Sequence, residues 1–137
     1  MSFVLDSSVC LTWCFEDERT DATQELLDRT TYFGADAPSH WPLEVLNGLA
    51  MGERRRRIDA AKRQQLSGFL RNLPVVVDSE TIAQAWEVTS KLASAYRLTV
   101  YDAAYLELAL RRGLPLATLD RELRAAGDAM GVTLLGV

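Results

Sequence analysis

Short apolar runs alternate with longer amphipathic segments along almost the whole chain, and this alternation limits the folds that the sequence can adopt. Val75–Val77, for example, is a run of β-branched residues, which is typical of a strand. We interpret five runs as strands: Phe3–Leu5, Ala35–Ala37, Val75–Val77, Leu116–Thr118 and Val132–Leu135. The sequence between consecutive runs is long enough for at least one helix. Strands that alternate with helices predict a three-layer α/β/α fold with a central parallel sheet.

Helix-start signals predict where several of the intervening helices begin. Asp21 and Gln24 have the spacing of a capping box, and so do Thr99 and Asp102. Pro42 suits the first turn of a helix. The predicted helices run from Ser7 or Ser8 to about Phe15, from Asp21 through Leu27, from Pro42 through Ala50, from Asp59 to Asn72, from Ile82 through Ala93, from Thr99 to Gly113 and from Asp120 to about Gly131.

The cysteines and tryptophans are interpreted as core residues. Cys10 and Cys14 are one helical turn apart, which is a poor disulfide geometry, and the single histidine of the chain cannot complete a zinc site with them. We therefore expect two buried free thiols. Trp13, Trp41 and Trp86 are expected in the core rather than on the surface as platforms for nucleic-acid bases.

Length and charge place further limits on the protein. The 137 residues predict one domain, spanning 1–137. No apolar run has membrane-spanning length, and the N-terminal segment lacks the positive stretch of a signal peptide, so we expect a cytoplasmic protein with no membrane partner. The formal net charge is −4, but the basic residues are unevenly placed, because Arg54, Arg55, Arg56 and Arg57 are consecutive.

Four acidic residues stand in apolar surroundings, each at a strand-to-helix transition or in the first turn of a predicted helix: Asp6, Glu44, Asp102 and Asp120. Taken singly, each has a structural explanation as a helix cap or as a charge that favours a helix N-terminus. Taken together, they would be costly to bury unpaired, and no Lys or Arg is placed in sequence to pair with all of them. Converging carboxylates without a cation suit a hard divalent ion, Mg²⁺ or Mn²⁺.

Four segments that contain or flank these acids carry a family resemblance: Phe3-Val-Leu-Asp-Ser-Ser8, Pro42-Leu-Glu-Val-Leu-Asn47, Leu98-Thr-Val-Tyr-Asp-Ala-Ala-Tyr-Leu106 and Leu116-Ala-Thr-Leu-Asp120. In this order and at these separations, they resemble the PIN-domain nucleases and, within them, the VapC-type ribonuclease toxins of bacterial toxin–antitoxin pairs. The main departure from the family pattern is the long Arg54–Arg57 block, which lies outside the motifs.

The resemblance implies a fold, a site and partners. It implies the strand order 3-2-1-4-5, which would bring Asp6 and Asp120 side by side. The four acids match the family's catalytic and metal-binding cluster, which would use one or two Mg²⁺ or Mn²⁺ ions to cleave RNA. The residues expected to support the cluster by hydrogen bonds are Ser7, Asn47 and Thr118. An antitoxin that covers the acidic pocket and a toxin homodimer are implied in the same way.

Other interpretations of the same residues stay open. Arg54–Arg57 could contact the RNA backbone or could simply be a solvated helix end. A catalytically silent binding module of the same fold is one alternative function. A Mg²⁺-dependent phosphatase with Asp6 as nucleophile is another, although one such class requires a second Asp where this chain has Ser8. Receiver-like phosphoryl acceptors require a Lys at a late strand end, whereas Lys62 and Lys91 lie in predicted helices.

Overall fold

A five-stranded parallel sheet forms the centre of the protein in the computed structural model, which describes residues 2–137. The strands are β1 (Val4–Leu5), β2 (Ala35–Ala37), β3 (Val75–Val77), β4 (Leu116–Ala117) and β5 (Leu134–Leu135). Their order across the sheet is β3-β2-β1-β4-β5, and every neighbouring pair is parallel. Helices flank this sheet, so the predicted α/β fold and strand order are confirmed.

Helices connect the strands in the predicted alternation. They are α1 (Ser7–Cys14), α2 (Asp21–Phe33), α3 (Trp41–Arg54), α4 (Ala60–Arg71), α5 (Thr81–Gln84), α6 (Ser90–Tyr96), α7 (Val100–Arg112) and α8 (Arg121–Ala129). Helix α1 packs against α2 and α3, whereas α7 packs against α6, α8 and β1. Within residues 2–137, no helix combines the length and the apolar character needed to cross a membrane.

The core is built around β1 and the helices that cover it. Residues 3–5 are fully buried, as expected for a central parallel strand that is covered on both faces. Trp13 and Trp41 are buried as predicted, and the thiols of Cys10 and Cys14 are buried and free.

Two glycines bring α1 and α3 close together. A Cβ atom at Gly48 would lie 2.6 Å from the side chain of Leu11, and one at Gly52 would lie 2.6 Å from the ring of Phe15. A larger residue at either position would have to displace the Leu11 side chain or the Phe15 ring. The glycines therefore allow these side chains to pack directly against α3, which carries Glu44.

The helix predicted from Ile82 through Ala93 is not a regular α-helix. A π-helical segment, Ala85–Thr89, separates α5 from α6. Trp86 is 86% exposed, and Ile82, one turn before it and ahead of the π-helical segment, is 67% exposed. The prediction that Trp86 lies in the core is therefore wrong, because the buried residues of this region are Thr81, Thr89, Leu92 and Ala93 instead.

The predicted capping box at the start of α2 is also wrong. The N-cap is Thr20, whose hydroxyl accepts a hydrogen bond from the backbone N–H of Thr23 at 3.1 Å. The backbone N–H of Thr20 donates in turn to the Thr23 hydroxyl at 3.0 Å. Thr20 and Thr23 thus form the capping box of α2, one residue before the predicted pair of Asp21 and Gln24.

Candidate active site

The structure brings the four predicted acids together at the ends of two neighbouring strands. Asp6 directly follows β1, and Asp120 follows β4, which pairs with β1. Asp102 lies in the first turn of α7, and Glu44 lies in the first turn of α3. The carboxylates are close enough for the charges of Glu44 and Asp120 to act on Asp6, and for those of the other three acids to act on Asp102. We refer to these four residues as the acid cluster.

Asp6 is the most buried residue of the acid cluster, with only 3% of its surface exposed. Its Oδ2 atom accepts hydrogen bonds from Ser8 Oγ at 2.6 Å and from Thr118 Oγ1 at 2.7 Å. Ser7 Oγ lies 3.5 Å from Oδ1, a much weaker contact. Thr118 thus contacts the acid as expected, whereas the closer serine is Ser8, which sequence analysis missed.

The same two hydroxyls also fix the segment that follows β4. The backbone N–H of Leu119 donates to Ser8 Oγ at 3.0 Å, and that of Asp120 donates to Thr118 Oγ1 at 3.1 Å. The guanidinium of Arg124 donates to the backbone oxygen of Thr118 at 2.7 Å. These bonds link the Asp6 carboxylate to the start of α8, where Asp120 lies.

The capping explanation holds for one acid of the cluster but not for all. Asp6 occupies the N-cap position of α1, yet its side chain makes no capping hydrogen bond. Asp120 does cap α8, because its Oδ1 atom accepts from the backbone N–H of Leu123 at 2.9 Å. At α7 the cap is Thr99, whose hydroxyl accepts from the backbone N–H of Asp102 at 3.1 Å. The carboxylates of Asp6 and Asp102 are therefore not required for helix capping.

Glu44 is held by side chains that sequence analysis did not assign to the site. The Tyr105 hydroxyl donates to Glu44 Oε1 at 2.5 Å, and His40 Nε2 lies 3.6 Å from the same oxygen. Burial of Tyr105, together with the nearby charges of Asp6 and Glu44, raises the pKa of its hydroxyl well above the usual range, so it remains a donor. Tyr105 and Glu44 are 61 positions apart in the chain, and no local pattern connects them.

Burial and mutual repulsion raise the pKa of two of the acids. For Asp102, burial is the largest cause and the charges of the other three acids add to it, raising the pKa to about 6. For Asp6, burial raises the pKa more than its two hydroxyl hydrogen bonds lower it, and the charges of Glu44 and Asp120 add to the increase. Raised carboxyl pKa values mean that full ionisation of the cluster is unfavourable when no cation is present.

A second set of buried carboxylates has the opposite surroundings. Asp78 and Glu107 are buried and both bond to Arg111, at 2.6 Å and 2.7 Å. Buried Asp36 pairs with Arg112 at 3.1 Å. At Asp78, burial acts to raise the pKa, but hydrogen bonds and the positive charge of Arg111 outweigh it and lower the pKa. These acids are neutralised within the protein.

The acid cluster has no such internal cation. In the part of the chain that the structure describes, no Lys or Arg forms a salt bridge with any of the four, and the basic side chain within salt-bridge distance is His40, 3.6 Å from Glu44. Carboxylate oxygens suit a hard divalent ion such as Mg²⁺ or Mn²⁺. Among residues 2–137, no three His, Cys, Asp or Glu side chains already form a group that could hold a metal ion. An ion bound here would thus be held by one or two carboxylates with water completing its shell, or the carboxylates would move together.

The other predicted site residues lie along α3. Asn47 is exposed one turn after Glu44, and we find no hydrogen bond within residues 2–137 between it and the acid cluster. Arg54, Arg55 and Arg56 are exposed at the end of the helix. At a rise of 1.5 Å per residue, Arg54 is about 15 Å from Glu44 along the helix axis.

Arg57 is engaged differently from the three arginines before it. Its guanidinium forms salt bridges with Asp17 at 2.9 Å and with Glu18 at 2.8 Å. It also lies 4.1 Å from the centre of the Phe15 ring. These contacts attach the turn after α3 to the end of α1, so the consecutive arginines are not one equivalent block.

Several known proteins resemble this chain in sequence or in fold. The family model named PIN domain matches residues 3–129. Ribonuclease VapC3 of Mycobacterium tuberculosis is 35% identical over 111 residues, which are 80% of this chain and 74% of that protein. The crystal structure of PAE2754 from Pyrobaculum aerophilum matches with a TM-score of 0.70 at 24% identity, over 98% of this chain and 83% of that one. A toxin–antitoxin complex from Klebsiella pneumoniae matches with a TM-score of 0.56 at 18% identity, over 86% of each chain. The chain belongs to the PIN domain family.

Proposed function

We propose that the protein is a metal-dependent endoribonuclease that acts as the toxin of a toxin–antitoxin pair. Metal dependence is inferred from one observation: Asp6 is buried beside three further acids. Its carboxylate caps no helix, and no Lys or Arg side chain within the described residues pairs with it. Burying uncompensated charge is costly, and a bound cation would offset that cost. The choice of RNA as substrate follows from the 35% identity to Ribonuclease VapC3.

The chain's own residues would hold the metal and orient the reacting groups. When bound, one or two Mg²⁺ or Mn²⁺ ions would activate a water molecule and neutralise charge at the scissile phosphodiester. Asp6, Asp102 and Asp120 are the residues we expect to hold them. Glu44 would complete the set of ligands or orient the attacking water.

Hydroxyl groups around Asp6 would keep its carboxylate in one orientation. Ser8 and Thr118 both donate to Oδ2, so Oδ1 is the oxygen more available to a cation. Partners of this kind commonly tune metal affinity through the orientation of the ligand. Ser7 and Asn47 stay candidates for the same supporting role, although neither makes a close contact with an acid within residues 2–137.

Arg54, Arg55 and Arg56 are the residues we expect to contact the RNA backbone. They are exposed, and they lie at the C-terminal end of the helix that carries Glu44 and in the turn that follows it. Phosphate contacts of this type add affinity without sequence preference. Arg57 was predicted to share this role, but its two salt bridges give it a structural one, and we expect it to contribute less.

Two alternative functions use the same residues. A catalytically silent module of this fold is favoured by one observation, the lack of an already closed metal site within residues 2–137. A phosphatase with Asp6 as nucleophile is disfavoured, because Oδ2 already accepts two hydrogen bonds and Oδ1 alone would have to serve as both metal ligand and nucleophile. Neither Lys62 nor Lys91 forms a salt bridge with the acid cluster within the described residues.

An antitoxin and a second copy of the chain are the protein partners that we propose. A protein of similar fold occurs in a toxin–antitoxin complex from Klebsiella pneumoniae. Leu43 and Leu46 on α3 and Val76 on the edge strand β3 are exposed, and exposed apolar surface often marks an interaction site. Light scattering would detect a homodimer, and co-purification with the product of a neighbouring short reading frame would detect the antitoxin. A cytoplasmic location stays a prediction.

The test of the proposed function is RNA cleavage with and without a chelator. We expect cleavage in Mg²⁺ or Mn²⁺, none in EDTA, and none for Asp6→Asn, because neutralising Asp6 removes a central ligand charge. Asp128→Asn is the matched control, since Asp128 is exposed near the end of α8 and outside the cluster. Full cleavage in EDTA, or by a folded Asp6→Asn variant, would refute the metal-dependent mechanism. A folded wild type that binds RNA without cleaving it in either metal would favour the silent module.

A further inference from the structure

Tyr105 connects the two helices that carry Glu44 and Asp102. It lies on α7 one turn after Asp102, and its side chain is fully buried. Its hydroxyl reaches α3, where it donates to Oε1 of Glu44 at 2.5 Å. A buried tyrosine hydroxyl usually has a partner, and a charged acceptor makes that hydrogen bond stronger than a neutral one would.

His40 contacts the same oxygen from the start of α3. Its Nε2 atom lies 3.1 Å from the backbone oxygen of Tyr101 and 3.6 Å from Glu44 Oε1. A carbonyl oxygen can only accept, so the shorter contact places the proton on Nε2. Among the described residues, Oε1 of Glu44 therefore accepts a hydrogen bond from the Tyr105 hydroxyl alone, and the imidazole of His40 lies beside it. Within residues 2–137, no donor is hydrogen-bonded to Oε2, which leaves that oxygen available.

Glu44 needs such a contact to keep one orientation. Its side chain is 28% exposed, and it carries the same charge as the nearby Asp6 and Asp102. Repulsion favours a turn toward solvent, and a glutamate side chain has ample rotamer freedom to make it. Tyr105 opposes that turn from a rigid position, because its ring is enclosed in the core.

We propose that Tyr105 is a positioning residue, whose hydroxyl holds Oε1 of Glu44 so that Oε2 stays available to a cation or to the attacking water. The proposal rests on the metal-dependent function proposed above. Tyr105 acts through Glu44 and does not itself touch metal or substrate. Removing the hydroxyl should therefore weaken metal binding and turnover while the ring keeps the fold intact.

The experiment compares Tyr105→Phe with Tyr96→Phe in the full chain. The Tyr96 hydroxyl contacts Met130 Sδ at 2.9 Å. The control therefore also removes a tyrosine hydroxyl, but at a position outside the acid cluster. Mn²⁺ binding is measured by titration calorimetry, and kcat and KM are measured by RNA cleavage. We expect Tyr105→Phe to weaken Mn²⁺ binding about 10- to 100-fold. It should lower kcat at limiting Mn²⁺, leave KM for RNA unchanged and regain activity in excess Mn²⁺, whereas Tyr96→Phe should match the wild type.

A double-mutant cycle separates positioning from a general effect on structure. In a Glu44→Ala background, Tyr105→Phe should cause no further loss of Mn²⁺ affinity, and an additive loss would overturn the proposal. Equal Mn²⁺ affinity and kcat for wild type and Tyr105→Phe would overturn it too. If Tyr105→Phe fails to fold, Glu44→Asp withdraws the carboxylate from the hydroxyl instead, and unchanged Mn²⁺ affinity there refutes the proposal. A wild type that neither binds Mn²⁺ nor cleaves RNA refutes the proposed function itself, and this proposal with it.

Discussion

Replacing Asp102 with Asn should stabilise the protein when no metal is present. Burial and the neighbouring negative charges raise the pKa of Asp102 from 3.8 to about 6. At roughly 1.4 kcal/mol per pKa unit, the full difference would be about 3 kcal/mol above pH 7. Asp102 is only half-buried, so solvent screening reduces the usable share to about 1 kcal/mol. Loss of a charge that favours the N-terminus of α7 costs a few tenths of a kcal/mol, which leaves a net gain of about 0.5–1 kcal/mol.

The size of this gain should depend on pH. The folded protein keeps the Asp102 proton up to about pH 6, whereas the unfolded chain loses it near 3.8. Between these values the folded state binds more protons, so the stability of the wild type falls as pH rises through this window. The Asp102→Asn variant has no such proton to lose. Its advantage should be absent near pH 4 and complete above about pH 7.

Thermal melts of wild type, Asp102→Asn and the control Asp128→Asn, each in EDTA and in Mg²⁺, measure these effects. A gain of 0.5–1 kcal/mol corresponds to a Tm increase of roughly 1–4 °C for a chain of this size. Mg²⁺ should stabilise the wild type more than the variant, because bound metal favours the folded state by mass action. If Asp102→Asn lowers Tm in EDTA at neutral pH and Mg²⁺ shifts no melting point, Asp102 is a helix-terminus charge and the repulsion argument fails.

Two further predictions concern α3. Replacing Arg54–Arg56 with Ser should weaken RNA binding and reduce the slope of log affinity against log salt by up to about three, about one per lost phosphate contact. Arg57→Ser should leave the slope nearly unchanged. RNA binding by variants in an Asp6→Asn background, measured across a salt series, tests this, and equal slopes would show that the three arginines are only solvated. Gly52→Ala should destabilise the protein by about 1 kcal/mol, because overpacking against Phe15 costs about 1–3 kcal/mol while alanine's helix propensity returns about 1. Urea unfolding measures the change, and a more stable variant would show that the Phe15 ring moves aside at little cost.

The parts of the site that could be predicted from sequence are those with a local signal. Asp6 and Asp120 follow readable apolar strands, and Glu44 and Asp102 stand near helix starts marked by Pro42 and Thr99. A parallel sheet then brings the carboxyl ends of its strands to one edge. The alternation of strands and helices was sufficient to predict this parallel sheet, because errors of one or two residues in the bounds of the elements do not change the alternation.

The parts that could not be predicted depend on contacts between distant segments. Tyr105 resembles any other apolar residue of an amphipathic helix, and its role follows only from the distance to Glu44. The ion pairs of Arg57 with Asp17 and Glu18 span about forty positions and turn one residue of an apparently uniform block into a structural anchor. Trp86 was misplaced for a different reason: a large aromatic residue favours the core, but here the buried residues of the same region are Thr81, Thr89, Leu92 and Ala93.

The two sets of buried acids provide the strongest internal argument about charge. At Asp36, Asp78 and Glu107, the chain supplies Arg111 and Arg112, so the fold is able to place guanidinium groups beside buried carboxylates. At the acid cluster it places hydroxyls and backbone N–H groups instead, which orient carboxylates without neutralising them. An arginine there would compete with a cation for the same oxygens. The net charge of −4 fits this view, because two divalent ions would reduce it to zero. An acidic total is thus compatible with the proposed RNA substrate, because the unpaired acids lie where the proposed cations would bind.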